Sequence, residues 1–155
     1  MELDRGDTEV ERGKEIVVLD ASVVVKWFVK ERHTDSALRA RDDYAAGRTD
    51  IWSTQLLPYE VLNALRYNPS FGTEELKAAG RALEGYRLAL NPVLGELAEA
   101  SVVEAVSYGI TFYDAACLSL SRMLGRTLYT ADERLLAKVA NVRGVSHIEE
   151  YKLRG

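Results

Sequence analysis

The sequence predicts an α/β fold in which three layers, α/β/α, are built around a central, mainly parallel sheet of about five strands. Two runs rich in β-branched and other apolar residues, IVVLD (16–20) and RTLYT (126–130), are typical of strands buried on both faces of a parallel sheet. Segments with helical spacing lie between the expected strands, and this alternation favours right-handed crossovers. A chain of 155 residues is a normal length for one such domain.

The spacing of apolar residues and the residues typical of helix ends predict the bounds of the individual helices and strands. Pro58 fits the first turn of its helix, glycines close three helices, and Thr73 is expected to be the N-cap of another. The chain divides into a charged, flexible tail (1–14) and a single domain (15–155). Strands are expected at 16–20, 50–53, 91–94, 126–130 and 145–148, and helices at 35–47, 56–68, 73–90, 96–109, 111–125 and 131–140.

Composition and charge exclude several classes of protein. With 47% hydrophobic and 28% charged residues, the chain is expected to be globular and not disordered. The net charge of −4 provides no general basic surface, so nucleic acid binding requires a local basic patch. The first residues lack the apolar segment of a signal peptide, and no apolar run approaches a membrane span, so a cytoplasmic location is expected. The single cysteine, Cys117, lies in an apolar helix and is expected in the core.

Four acidic residues are expected at the carboxyl edge of the sheet, where open α/β sheets bind their ligands. Asp20 follows the first strand, Asp132 follows the fourth, and Glu60 lies in the helix after the second. Asp114 begins a helix whose position relative to the others depends on the tertiary fold. Because neighbouring carboxylates raise one another's pKa and destabilise the fold, the set predicts a site for a hard divalent cation, which prefers oxygen ligands.

Taken alone, Asp20 and Glu60 have ordinary structural explanations. Aspartate often starts a turn by accepting hydrogen bonds from backbone N–H groups, although the place of Asp20 after the central strand favours a functional role. Glu60 lies in a first helical turn, where the helix dipole favours a negative side chain. Only the set of four makes cation binding the better interpretation.

The other two acids lie next to possible capping boxes. Thr111 and Asp114 have the spacing of a capping box, in which the side chain of the acid accepts a hydrogen bond from the N–H of the cap residue. From the sequence alone, Asp114 can equally be a capping residue or a metal ligand. Thr130 and Glu133 have the same spacing, which explains Glu133 and leaves Asp132 without a capping role.

Other polar residues give weaker signals. His33 and His147 are far apart and lack ligand spacing, so no zinc site is expected. Ser22, two residues after Asp20, is a possible phosphate contact, and Asn63, one turn after Glu60, could orient that acid. Most basic side chains are expected to be ordinary solvated charges, and those that could instead contact phosphates are Lys26, Arg32, Arg66, Arg122 and Arg134.

Four segments, in this order, resemble PIN domains, and most of all the VapC toxins of prokaryotic toxin–antitoxin pairs. The resemblance extends from about residue 16 to residue 148. The segments are VVLDASVVVKWFVKE with Asp20, PYEVLNAL with Glu60 and Asn63, TFYDAACLSLSRMLG with Asp114, and LYTADERLLAKV with Thr130 and Asp132.

This resemblance implies an endoribonuclease that depends on Mg²⁺ or Mn²⁺, is usually a homodimer, and is inhibited by a small VapB-like antitoxin. Asp20 and Asp114 are then the expected inner metal ligands, with Glu60 and Asp132 contacting the ion directly or through water. The implied catalytic residues are Asp20, Glu60, Asp114 and Asp132, supported by Ser22, Asn63 and Thr130.

Other functions are less well supported. A haloacid-dehalogenase-like phosphatase needs a second acid two residues after the first, where Ser22 stands, and a response-regulator receiver needs an acidic pair and a lysine that are missing at the expected places. A degenerate PIN-like domain that serves as an RNA-binding module or scaffold remains open, although the presence of all four acids opposes it.

The helices between residues 35 and 68 are expected to carry more apolar side chains than one small core can cover. Such a surplus favours a closed two-fold dimer. The side chains in question are Ala37, Leu38, Tyr44, Val61, Leu62 and Leu65.

Overall fold

The computed structural model describes residues 14–153, and the charged segment expected at 1–14 lies outside this range except for Lys14. Within it, five strands form one parallel sheet in the order β3-β2-β1-β4-β5. The predicted α/β class with a parallel five-stranded sheet is confirmed. The strands are β1 (Glu15–Leu19), β2 (Thr49–Thr54), β3 (Ala89–Asn91), β4 (Leu128–Thr130) and β5 (Val145–His147).

Helices cover both faces of this sheet. Helices α1 to α4 pack on one face and α5 to α7 on the other. No helix among the described residues is long and apolar enough to cross a membrane. The helices are α1 (Ala21–Val24), α2 (Thr34–Ala45), α3 (Leu57–Arg66), α4 (Thr73–Tyr86), α5 (Gly95–Tyr108), α6 (Phe112–Leu124) and α7 (Glu133–Lys138), with 3-10 turns at Val25–Trp27 and Ile148–Glu150.

The alternation of side chains along β1 divides the core into two layers. Val17 and Leu19 are buried against the helices of one face, whereas Val18 is buried against those of the other. Neighbouring β2 repeats this pattern with Ile51 and Trp52. A strand that buries both faces must be apolar at successive positions, which is why a continuous apolar run predicted β1 correctly.

The region between α4 and α5 differs from the expectation. The helix expected over 73–90 ends at Tyr86, because Arg87 adopts a left-handed conformation (φ 53°). Strand β3 therefore begins two residues before the expected 91–94. The side-chain amide of Asn91 donates a hydrogen bond to the Ser53 carbonyl (3.1 Å), which ties β3 to β2.

The start of α4 also differs. Gly72, and not Thr73, is the N-cap, and its N–H donates to the side chain of Glu75 at 2.8 Å. Glycine N-caps are common because the extended conformation at this position needs no side chain. The expected glycine ends of two other helices are confirmed, since Gly109 and Gly125 are C-caps with φ of 63° and 64°.

The expectation that residues 35–68 carry surplus apolar side chains is wrong. Ala37, Val61 and Leu65 are fully buried in the chain's own core, and the other three positions pack against the same core. The reason is the segment 21–27, for which the sequence made no prediction. It forms α1 and a 3-10 turn that pack against α2 and α3 and cover their apolar faces.

Candidate active site

Asp20 occupies the point where the order of the strands reverses. It follows β1, which pairs with β2 on one side and with β4 on the other, and it is the N-cap of α1. Only 7% of the residue is exposed. Ligands of open parallel sheets bind outside the strands at such a reversal, so the predicted position of Asp20 is one where a ligand is expected.

Hydroxyl groups surround the Asp20 carboxylate. The Ser22 hydroxyl donates to Asp20 Oδ1 (2.5 Å), lies 3.2 Å from the Thr130 hydroxyl, and accepts a hydrogen bond from the Ala131 N–H (2.8 Å). Burial raises the pKa of Asp20 to about 6, although these hydroxyls lower it, and the charge of Asp114 adds to the increase. The network joins the loop after β1 to the loop after β4.

Glu60 approaches the same edge from α3. Val61 and Leu65 are buried and hold the helix against the core, which leaves the Glu60 side chain half-buried at the surface. Burial, followed by the charges of Asp20 and Asp114, raises the pKa of Glu60 to about 7. Asn63, one turn later, is exposed, and no hydrogen bond between its side chain and Glu60 is present among the described residues.

Asp114 reaches the edge from the opposite face of the sheet, in the first turn of α6. Its N–H donates to the hydroxyl of the N-cap Thr111 (3.1 Å), but the return bond that would complete a capping box is not among those of the described residues. Burial raises the pKa of Asp114, a hydrogen bond with Thr111 lowers it, the charge of Asp132 raises it, and that of Lys138 lowers it. No sequence signal indicated Lys138.

Asp132 has a capping role, and the expectation that it has none is wrong. Its Oδ1 accepts hydrogen bonds from the N–H groups of Arg134 (2.9 Å) and Leu135 (3.1 Å), which makes it the N-cap of α7. The Thr130 hydroxyl accepts a hydrogen bond from the Asp132 N–H and contacts the Ser22 hydroxyl. It therefore does not cap α7. These bonds fix the orientation of the Asp132 carboxylate.

The four acids share a surplus of negative charge. In the described part of the chain, none of them forms an ion pair with Lys or Arg within 4.0 Å. Burial and mutual repulsion raise the pKa of three of them. The arrangement therefore has the electrostatic character of a cation site, because a bound cation would remove the repulsion that raises these pKa values.

Three of the basic candidates share a cavity that reaches the residue before Asp132. Lys26, Arg32 and Arg134 line a cavity of about 350 Å³ that also contacts Ala131, the residue before Asp132. Lys26 is buried and forms an ion pair with Glu31 at 3.0 Å. Arg122, in contrast, lies in the last turn of α6, whereas Asp114 lies in the first turn. Arg122 is therefore at the end of this helix that is farther from the acidic site.

The histidines also come together, contrary to the expectation from their spacing. The rings of His33 and His147 are 4.7 Å apart between centroids. Together with Glu149 they form a group of three side chains whose possible metal-ligand atoms all lie within 4.8 Å of one another. Among the described residues, this is the one such group of His, Cys, Asp or Glu side chains. No three carboxylates of the acidic site lie as close together as this.

Cys117 lies in the core, as expected from its apolar helix. It is 2% exposed, and burial followed by the charges of Asp20 and Glu60 raises the pKa of its thiol well above the usual value. The thiol is therefore neutral, and nucleophilic thiols are ionised and accessible.

Comparison with known proteins agrees with this geometry. A sequence profile of the PIN domain matches residues 17–142, which is most of the chain. The chain belongs to the PIN domain family. Two curated relatives come from Pyrobaculum aerophilum. "Ribonuclease VapC3" is 27% identical over 79% of this chain and 93% of its own, and "Exonuclease VapC9" is 28% identical over 88% and 93%.

A solved structure shares the fold of this PIN domain. It is a toxin–antitoxin complex from Klebsiella pneumoniae, which superposes with a TM-score of 0.64 over 87% of this chain and 99% of its own at 19% identity. The three-layer PIN fold is thus found in the chain by both sequence and structure.

Proposed function

We propose that this PIN domain protein is a Mg²⁺- or Mn²⁺-dependent endoribonuclease and the toxin of a toxin–antitoxin pair, acting in the cytoplasm. The observation that carries the proposal is the group of four carboxylates at one sheet edge, none of which forms an ion pair to Lys or Arg among the described residues, and the raised pKa values of Asp20, Glu60 and Asp114. The family match and the ribonuclease named among the relatives support the same activity.

The donor atoms of the acidic site fit a hard divalent cation. All four side chains offer carboxylate oxygens, which Mg²⁺ and Mn²⁺ prefer over nitrogen or sulfur. Asp20 and Asp114 are proposed as direct ligands. Glu60 and Asp132 would contact the ion directly or through water. No three of these carboxylates lie within 4.8 Å of one another, which supports a share of contacts through water, since Mg²⁺ usually keeps several of its waters.

Each residue would have a separate task during cleavage. Ser22 and Thr130 hold the Asp20 carboxylate in one orientation, and the cap bonds do the same for Asp132. Glu60 would contact the ion directly or through water, and a carboxylate in that position can orient an attacking water and accept its proton. A divalent ion, when bound, supplies charge neutralisation at the phosphate and lowers the pKa of water.

The activity can be tested with the purified full chain and single-stranded RNA. We expect cleavage in Mg²⁺ or Mn²⁺ and none in EDTA. Full activity in EDTA would remove the metal-nuclease proposal, and binding without cleavage in either ion would favour the non-catalytic RNA-binding alternative.

The choice between internal and terminal cleavage needs a separate substrate, because one relative is named an exonuclease. A circular single-stranded RNA has no ends, so only an endonuclease can cut it. We expect the circle to be converted to linear fragments at a rate similar to that of the linear RNA of the same sequence. A circle that survives while the linear RNA is degraded would assign an exonuclease.

A homodimer is proposed through the outer face of α5, and not through the helices first considered. Val102, Val103 and Val106 are 53%, 62% and 80% exposed on this helix. Adjacent exposed apolar side chains mark interaction surfaces, and a second copy would cover them in a closed two-fold contact. Light scattering should give a dimer for the wild type and a monomer for Val106→Lys, with Lys77→Ala on α4 as a surface control that stays dimeric.

An antitoxin is the second proposed partner. The structure from Klebsiella pneumoniae is a toxin–antitoxin complex, which supports a partner of this kind for the present chain. A short reading frame beside the gene should encode the antitoxin. Co-expression of the two products should yield a stable complex in which RNA cleavage is suppressed, and a co-expressed neighbour that neither binds nor inhibits would contradict this assignment.

A further inference from the structure

Outside the acidic site, two histidines and a glutamate meet at the end of β5. His33 lies in the loop before α2, His147 is the last residue of β5, and Glu149 is in the 3-10 turn that follows. One possible ligand atom of each lies within 4.8 Å of those of the other two. We propose that this His–Glu cluster (His33, His147 and Glu149) binds a transition-metal ion of the Zn²⁺ type.

The chemistry of the donors separates this cluster from the acidic site. Two imidazole nitrogens and one carboxylate oxygen form a ligand set that Zn²⁺ takes with a fourth position left for water. Mg²⁺ prefers oxygen ligands only. The two places in the structure therefore select different ions by the type of ligand atom that they offer.

The distance between His33 and Glu149 suits a tetrahedral ion after a small movement. His33 Nε2 lies 3.7 Å from Glu149 Oε2, which is too long for a hydrogen bond. Two ligand atoms at the usual distances from a tetrahedral Zn²⁺ are about 3.4 Å apart. An ion between these atoms therefore requires the side chains to approach by less than an ångström.

His147 must change one hydrogen bond to become a ligand. Its Nδ1 accepts from the Glu149 N–H at 3.0 Å, so the neutral ring carries its proton on Nε2. Binding through Nε2 transfers this proton to Nδ1, and binding through Nδ1 uses the lone pair that accepts this bond, so in both cases the ring stays neutral and the bond from the Glu149 N–H is lost. One exposed bond at the start of a short turn is weaker than the metal–ligand bonds that replace it.

The cluster is accessible and joins distant parts of the chain. The side chains of His33 and Glu149 are 22% and 54% exposed, and both histidines line the cavity of about 350 Å³ that also contacts Ala131. Water can occupy the remaining coordination position from this cavity. A bound ion would tie the loop before α2 to the end of β5 and so stabilise the folded chain.

Zn²⁺ binding can be measured on the full chain after removal of metals. In excess Mg²⁺, equilibrium dialysis followed by metal analysis should give one Zn²⁺ per chain, together with a higher melting temperature. Because Zn²⁺ can also compete for carboxylates, the same experiment is run on Asp20→Asn/Asp114→Asn. This double variant should keep its Zn²⁺.

Two asparagine variants remove ligands while keeping the local structure. His33 has a left-handed backbone (φ 64°), which asparagine tolerates. In His147→Asn, the amide oxygen can replace Nδ1 as acceptor for the Glu149 N–H. Each variant should melt like the wild type in EDTA. Each should weaken Zn²⁺ binding by more than the roughly 10- to 100-fold that is typical when a residue supporting a metal ligand is lost.

Two outcomes would overturn the inference. One is that the wild type takes up no Zn²⁺ in excess Mg²⁺. The other is that Zn²⁺ is lost in Asp20→Asn/Asp114→Asn and retained in the histidine variants, which would place it at the acidic site. Cleavage of RNA in Mg²⁺ alone does not depend on the cluster, so either outcome leaves the proposed nuclease activity untouched.

Discussion

Acidic residues at the sheet edge and acidic residues on the outer helices have different surroundings. On α5, Glu104 pairs with Arg122 at 2.6 Å and accepts a hydrogen bond from Ser119 at 3.1 Å. At the edge, Asp20 and Glu60 have raised pKa values and no such pair among the described residues. The protein therefore supplies a cationic partner to Glu104 and none, among the described residues, to the carboxylates that we propose as metal ligands.

The largest expected difference between the two kinds of acid is in RNA cleavage. Asp20→Asn should reduce the rate by about 10²- to 10³-fold or more, as expected when one preorganised electrostatic group is lost. Glu104→Gln, the matched control, should leave the rate within the error of the assay because Glu104 lies away from the edge. Single-turnover cleavage in Mn²⁺ measures the rates of both variants. Equal losses of rate would contradict the difference between acids at the sheet edge and acids on the outer helices.

The next effect is on the stabilisation by metal. Asp114→Asn keeps its N–H bond to Thr111 and removes repulsion, so stability in EDTA should be unchanged or higher. The stabilisation by Mg²⁺ should fall, from about 2.7 kcal/mol if free Mg²⁺ is 100 times its Kd. Thermal melts of wild type and variant, each in EDTA and in excess Mg²⁺, give the four stabilities that this comparison needs.

Glu104→Gln should behave in the opposite way in those melts. Loss of its partly buried ion pair should destabilise the chain by about 1 kcal/mol or less, equally with and without metal. If Asp114→Asn showed this same pattern, Asp114 would be a helix-capping residue and not a ligand.

A smaller effect is expected from pH. The pKa of Glu60 is raised in the folded state, from 4.5 to about 7, so the folded protein holds its proton more tightly than the unfolded chain. The resulting stabilisation is present below about pH 4.5 and is lost as the pH rises towards 7. In EDTA, Glu60→Gln should remove on the order of 1 kcal/mol of this pH dependence, after allowance for screening of a half-exposed group. Denaturant titrations at pH 5 and pH 8 measure the free energy of unfolding of wild type and variant. If this free energy changes with pH as much in the variant as in the wild type, the raised pKa of Glu60 is contradicted.

The smallest effect is expected at Cys117, which lies beside the acids but carries no charge. Cys117→Ala should leave RNA cleavage per folded molecule unchanged, with only a modest loss of stability from the missing sulfur. Activity measurements normalised to folded protein test this expectation. A large loss of activity would give the thiol a role that its burial argues against.

The sequence was most informative where a residue's position follows from the sheet alone. Asp20 directly follows β1 and Asp132 lies two residues after the neighbouring β4, so the parallel order places both at one edge. The approach of Asp114 depends on how α6 crosses the opposite face, and no local pattern contains that information. Its first helical turn and its Thr111 cap were predictable, but its distance from Asp20 was not.

Contacts between distant segments decided two features that local sequence patterns did not anticipate. Thr130 was expected to cap α7, but its hydroxyl contacts Ser22, which lies 108 positions away, and Asp132 became the cap instead. His33 and His147 were judged too far apart for a metal site, yet β5 returns His147 to the loop before α2. Ligand spacing within a motif cannot detect such a pair.

The most direct test of the central claim is to locate a bound ion. A crystal of the full chain grown with Mn²⁺ should show an anomalous difference peak at the carboxyl edge of β1, in contact with carboxylate oxygens of Asp20 and Asp114, and this peak should be absent from Asp20→Asn crystals. A peak found only elsewhere, or none at this edge in crystals of a protein that cleaves RNA, would contradict the assignment of the four acids.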